Sequence, residues 1–189
     1  MSTAPALLGK GSTLRSTLAF VAESAGEEAL ARALAALGDE DRRAIARLQA
    51  TDEVEFALLC RLWHAVDAVL GATHPDWPER SGEFSIESTG TRLYGGIVRK
   101  ASPLEFLNQG VSLFQLYYRP GDMQVVETAD DRAVLRLVGF DHDEPIFCRR
   151  QTGGLACALA IAGGHETSVA HVRCALEGDA FCEWELRWG

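Results

Sequence analysis

The closing segment of the chain constrains its fold most. Two β-prone runs, 168–176 and 180–188, flank Glu177-Gly178-Asp179, which reads as a hairpin turn. With Gly178 supplying the left-handed residue of a three-residue loop, Cys174 and Cys182 fall directly opposite one another, their Cβ atoms about 4.5–5.5 Å apart. Two sulfurs so placed can share one metal ion, and they are also near disulfide reach. A helix is expected before this hairpin, over 144–162 and closed by Gly163 and Gly164.

Cys148 lies early in that helix, and His171 lies three residues before Cys174. Three cysteines and one histidine can thus converge as a closed tetrahedral zinc site that staples the helix to the hairpin. Residues three apart on a regular strand face opposite sides, so His171 and Cys174 meet at one ion only across a bulge or bend. Cys157 is nine residues beyond Cys148, about half a revolution around a helix, and reads as core. The competing reading is that these cysteines are small buried hydrophobes, because no Cys-x-x-Cys pair is present.

Upstream, residues 1–10 are small and apolar without period and are expected to be disordered. Helical spacing begins at Ser12, with Leu14, Leu18 and Val21 closed by Gly26, and continues through an alanine-rich stretch, 27–37, to a third helix opened by Asp39. The strongest helical pattern covers 52–70, with Asp52 as N-cap, Val54, Leu58, Leu62 and Val66 on one face, and Gly71 as the stop. The segment 73–82, with Pro75 and Pro78, reads as a loop dividing a helical part, 11–72, from a mixed part, 83–189. A short strand is expected at 84–88, helices at 90–100 and 103–117, and strands at 122–128 and 133–140. This order predicts one α+β domain over 11–189, an antiparallel sheet packed by helices behind a helical N-terminal half.

The charge balance excludes several partners. Against 27 acidic residues stand 18 basic ones, a net charge of −9, and only Lys10 and Lys100 are lysines. Neither nucleic acid nor an anionic membrane surface suits such a chain. No signal-peptide pattern and no run of 18 apolar residues is present, which points to the cytoplasm and argues against a disulfide framework for the five cysteines. There is no dinucleotide fingerprint, phosphate loop or nucleophile elbow, so no enzyme is expected. Asp141-His142-Asp143-Glu144 reads as a solvated acidic turn capping the next helix.

The stretch Phe147-Cys148-Arg149-Arg150 to Gly153-Gly154, then His171-Val172-Arg173-Cys174, then Glu177-Gly178-Asp179 and Cys182-Glu183-Trp184-Glu185-Leu186 resembles the 4-vinyl-reductase domain. The resemblance implies the fold shared by haem nitric-oxide sensors and subunits of the TRAPP trafficking particle. That domain is the hydrocarbon-sensing module of aromatic-responsive transcription activators, which carry zinc on a Cys, Glu-x-x-Cys and Cys pattern. Here the pattern falls on Cys148, His171, Cys174 and Cys182, with His171 in place of the family's Glu. The whole chain is also similar to a paralogous family of myxobacterial proteins, through Lys10-Gly11-Ser12, Phe20-Val21, Leu62-Trp63, Ser102-Pro103, Tyr117-Tyr118 with Gly121, and Arg187-Trp188.

The resemblance implies a non-catalytic sensor that binds an apolar or aromatic small molecule and signals to a partner protein or a second copy in a homodimer. Its pocket would be drawn from Phe106, Phe114, Tyr117, Tyr118, Phe140 and Trp184, together with Leu104, Leu107 and Val111. Haem is not expected, because the Tyr-x-Ser-x-Arg signature of the haem sensors is absent and His64 reads as packing at the edge of the core. The alternative is a ligand-free adaptor resembling the trafficking-particle subunits, whose function lies in its surfaces.

Overall fold

The computed structural model describes residues 6–90, 92, 95–96, 99–108 and 113–189. The chain opens with β1 (Leu8–Lys10), which pairs antiparallel with β2 (Glu53–Glu55) on one side and β3 (Tyr118–Arg119) on the other. Residues 8–10 are therefore the centre of a small sheet and not a disordered leader. Gly9 makes this possible, since a Cβ there would sit 2.3 Å from Leu59 Cδ1.

Helix α1 (Gly11–Ala35) joins two of the expected helices into one rod with a break at Gly26, whose φ of 85° is open to glycine at little cost. It packs along α3 (Phe56–Leu70), with Leu14, Phe20 and Val21 buried in one core with Leu59, Leu62 and Trp63, while α2 (Asp39–Arg47) is tied to α3 by the Arg61–Asp41 ion pair at 2.7 Å. Helix α3 starts four residues later than its hydrophobic spacing predicts. Val54 does face inward, but from β2: the ladder bonds to β1 hold Glu53–Glu55 extended, and the Phe56 N–H then donates to the Leu7 carbonyl at 2.9 Å. Asp52 caps no helix, and its carboxylate accepts from the Gln49 N–H instead.

The prolines expected to make a loop instead open α4 (Trp77–Phe84), where Pro78 occupies the first turn and needs no donor. Trp77 is wholly buried, and its indole N–H donates to Asp67 Oδ1 at 2.7 Å. The chain continues as a π-turn (Ser85–Gly90) in place of the expected strand, with Ile86 turned inward. The helix expected at 90–100 falls partly outside the described residues. The helix expected at 103–117 is realised as α5 (Pro103–Asn108) and a 3-10 turn (Phe114–Leu116), with 109–112 outside them.

A second antiparallel sheet follows, in the order β4-β5-β7-β6: β4 (Asp122–Thr128), β5 (Arg132–Val138), β6 (Ser168–Arg173) and β7 (Glu183–Arg187). Between β5 and β6 runs α6 (Pro145–Ile161), close to its expected bounds. The two central strands bury Ala133, Leu135, Trp184 and Leu186, and the Trp184 indole N–H donates to Thr152 Oγ1 on α6 at 2.9 Å. The architecture is α+β, with helices packed on antiparallel sheets. No described helix is long and apolar enough to cross a membrane.

Helix α6 lies very close to α4. A Cβ on Gly153 would stand 1.9 Å from the Glu79 carbonyl oxygen, and one on Gly82 would stand 2.1 Å from that of Arg150. At the edge of this contact Arg149 clamps both Glu79 oxygens at 2.6 Å. Gly153→Val must push two backbones apart and is expected to cost at least about 1–3 kcal/mol in urea unfolding. Gly38→Ala, with nothing within 4 Å of its added carbon, should be nearly neutral.

Candidate functional site

The bulge demanded by the sequence is present. Strand β6 pairs His171 with Trp184 and Arg173 with Glu183, so the register slips by one at Val172. That extra residue lets His171 and Cys174 turn toward the same side. Beyond β6 the chain makes a 3-10 turn (Ala175–Glu177) ended by Gly178 in the left-handed conformation, φ 101°. Asp179 returns its carboxylate to the Cys174 N–H at 2.8 Å, which fixes the loop.

The outcome is a cluster in which one ligand atom from each of Cys148, His171, Cys174 and Cys182 lies within 4.8 Å of the others. The Cys148 and Cys182 sulfurs are 3.9 Å apart and unbonded. A tetrahedral zinc ion with Zn–S bonds of about 2.3 Å would hold two sulfurs about 3.8 Å apart, so these need hardly move. His171 stacks on Trp184 with ring centroids 4.5 Å apart, and its buried Nε2 has no hydrogen-bond partner. An orphaned imidazole nitrogen beside three thiols is the donor set of a closed metal site.

The electrostatics favour thiolate at Cys182. The Cys182 thiol is driven far below its usual range, first by donation from Cys148 and further by His142 and His171, whereas that same contact together with burial drives Cys148 up. Burial first, and then the neighbouring Cys182, raise Cys174. The role of His142 was missed by sequence reasoning, which saw only a capping turn. Its Nδ1 accepts from the Glu144 N–H, so Nε2 carries the ring proton and points it at Cys148 Sγ, 3.6 Å away. His142 is thus placed to donate to a ligand sulfur from outside the cluster. Glu144 does cap α6, accepting from the Ile146 N–H, but it is buried, not solvated, and meets His64 Nε2 at 2.8 Å.

Cys157 lies apart from the cluster, half-buried, its thiol pushed up to about 11 by burial; Cys60, on α3, is pushed up to about 12 for the same reason.

A cavity of about 440 Å³ lies between α1, the α4 turn, α5, β4, β5 and α6. Phe106, Phe114, Tyr117 and Tyr118 line it, joined by Leu107, Leu135 and Ile86. Phe140 and Trp184 do not. Phe140 sits in an aromatic core with Phe56, Phe114 and Phe147, and Trp184 packs between His171 and Thr152. Leu104 borders a separate surface depression, and Val111 lies outside the described residues. Arg150, Gln151, Gly154 and Leu155 of α6 form the remaining wall. Sequence patterning could not find Arg150, because a lone arginine on a helix ordinarily reads as surface.

Scanned against protein-family models the chain matches none, and a search of curated proteins finds no relative. Solved structures do match in shape. The Fe(II) unliganded H-NOX protein from K. algicida superposes with a TM-score of 0.71 at 12% identity, over 95% of this chain and 96% of that one. An oxygen-binding H-NOX domain related to soluble guanylate cyclases gives 0.65 at 13% identity, over 95% and 94%. The protein thus has the H-NOX fold, and identities this low carry no more than the fold.

One equivalent of a thiophilic divalent ion is the expected stoichiometry in elemental analysis of the purified protein. Cys148→Ser and Cys182→Ser should abolish it while Cys60→Ser and Cys157→Ser retain it. Because the ligands bind deprotonated, retention should fall as the pH is lowered, and the ion's contribution to stability with it. Loss of the ion in all four variants alike, or in none, would remove the cluster as its seat.

Proposed function

We propose that this chain is a non-catalytic sensor module, holding an apolar or aromatic small molecule in the chamber and a structural zinc ion on Cys148, His171, Cys174 and Cys182. One observation carries the reading: helix α6 presents Cys148 to the cluster and, within the next two turns, Arg150, Gln151, Gly154 and Leu155 to the cavity. A ligand that shifts α6 must work against the hairpin fastened to it, and that hairpin lies at the molecule's edge. The resemblance to the 4-vinyl-reductase domain supports both the zinc and the hydrocarbon pocket. Output passes to a partner protein or a second copy of the chain.

Solved neighbours of this fold are described as Fe(II) and oxygen-binding proteins, and one as a study of heme distortion. The residues here do not suit haem. The five histidines are His64, His74, His142, His165 and His171, and none lines the cavity; no cysteine lines it either. No residue beyond the described ones is a histidine or cysteine. His64 is largely exposed and engaged with Glu144. An iron porphyrin in this chamber would lack the imidazole or thiolate that ordinarily holds it, so no step of the proposal runs through haem.

The adaptor reading has weaker support. The exposed large hydrophobics among the described residues are Val125 and Val126 on β4, and Val172 and Leu176 at β6 and the turn beyond it, on opposite edges of the sheet. They do not join into one docking patch.

The neutral fluorescent probe N-phenyl-1-naphthylamine tests the chamber. It is expected to bind with micromolar affinity and raise the thermal midpoint, and Leu135→Trp, which fills the cavity, should weaken it at least tenfold. No uptake by the folded wild-type protein would end the sensor reading.

A further inference from the structure

Arg150 is 3% exposed, yet among the described residues it has no counter-ion. Its Nε is buried without a hydrogen-bond partner, one terminal nitrogen donates to Ser81 Oγ, and the guanidinium lies 5.0 Å from the Trp63 ring. Burial pushes the group below its ordinary value, and what draws it back is the neighbouring Tyr118 phenol, a group that burial itself holds toward its neutral form, and not a carboxylate. Arginine keeps its proton inside proteins, so this is a buried cation. An unpaired charge in an apolar setting is strongly unfavourable unless something else completes it.

The completing group has a place to sit. Arg150, Tyr118 and Thr13 line the cavity together, and the Tyr118 hydroxyl lies within the influence of both its neighbours; the buried Thr13 Oγ1 makes no well-formed hydrogen bond among the described residues. Phe106, Leu107, Phe114 and Leu135 line the same cavity. Asp122 also borders the chamber, but its carboxylate turns back to the Met123 N–H and makes no ion pair with Arg150.

Resting on the sensor reading, we infer that the chamber's ligand is a monoanionic amphiphile, with a carboxylate seated on Arg150, Tyr118 and Thr13 and an apolar body filling the aromatic end. A neutral hydrocarbon would leave the buried guanidinium as unsatisfied as before. A carboxylate gains charge-assisted hydrogen bonds there, and a planar guanidinium suits its two oxygens.

Isothermal titration calorimetry at pH 7.5 with dodecanoate, dodecanol and dodecylammonium, all below micellar concentration, tests this on the full chain. The acid is expected to bind at least about tenfold more tightly than the alcohol, the order of gain of a charged hydrogen bond, and the ammonium least of all. Arg150→Met, which keeps the bulk, should abolish the preference, bringing the acid's affinity down to that of the alcohol. Should that variant not fold, the three-ligand series on wild-type protein decides alone. Equal binding of acid and alcohol, or a preference that survives in Arg150→Met, overturns the inference while the chamber stands. Binding of none of the three overturns the chamber and this inference together.

Discussion

The close approach of α4 and α6 governs everything functional in this molecule. Two glycines, Gly82 and Gly153, let backbone meet backbone where any side chain would intrude. That approach brings Ser81 to Arg150 and Glu79 to Arg149, and so sets the roll of α6 about its own axis. Once the roll is set, Cys148 faces the terminal hairpin and Arg150 faces the cavity. A rotation of α6 by a fraction of a turn would spoil both at once. The bulge at Val172 is the matching adjustment on the sheet side, spending one residue of strand pairing to aim His171.

Much of this was legible in the residues. The turn at Gly178 and the helix before it follow from short-range chemistry; the strands stop at Arg173 and Glu183, so Cys174 and Cys182 meet from the longer connection and not as ladder partners of a three-residue hairpin, and the structure still unites all four expected ligands. Strands β4 and β5 and helix α6 were equally plain because their periodicity and their stops agree. The failures share a physical cause, which is that long-range pairing overrode local preference. Residues 8–10 look structureless until β2 and β3 flank them, and 52–55 look helical until β1 claims their backbone. Pro75 and Pro78 signal a loop or a helix start with equal force, and only the buried Trp77 decides for the helix. Within the pocket, aromatic content marked Phe106, Phe114, Tyr117 and Tyr118, but it did not separate them from Phe140 and Trp184, which have the same character and lie in solid core. The polar members, Arg150 above all, carry no local mark.

Likeness of fold and likeness of site part company here. The chain superposes on H-NOX structures over nearly its full length, yet its histidines lie outside the chamber and two of them have gathered around the sulfur cluster instead. The scaffold supplies a space between sheet and helices, and what fills it is decided by a few inward-facing side chains.

The small sheet has a consequence for how the protein is made. Its middle strand is formed by residues 8–10, while one of its edges waits for residues 118–119. A contact spanning more than a hundred positions closes slowly, since the loop must be drawn in before any bond rewards it. Until that partner is made, the middle strand keeps one edge open. Assembly of this domain is accordingly a closing of residues 8–10 upon the middle of the chain.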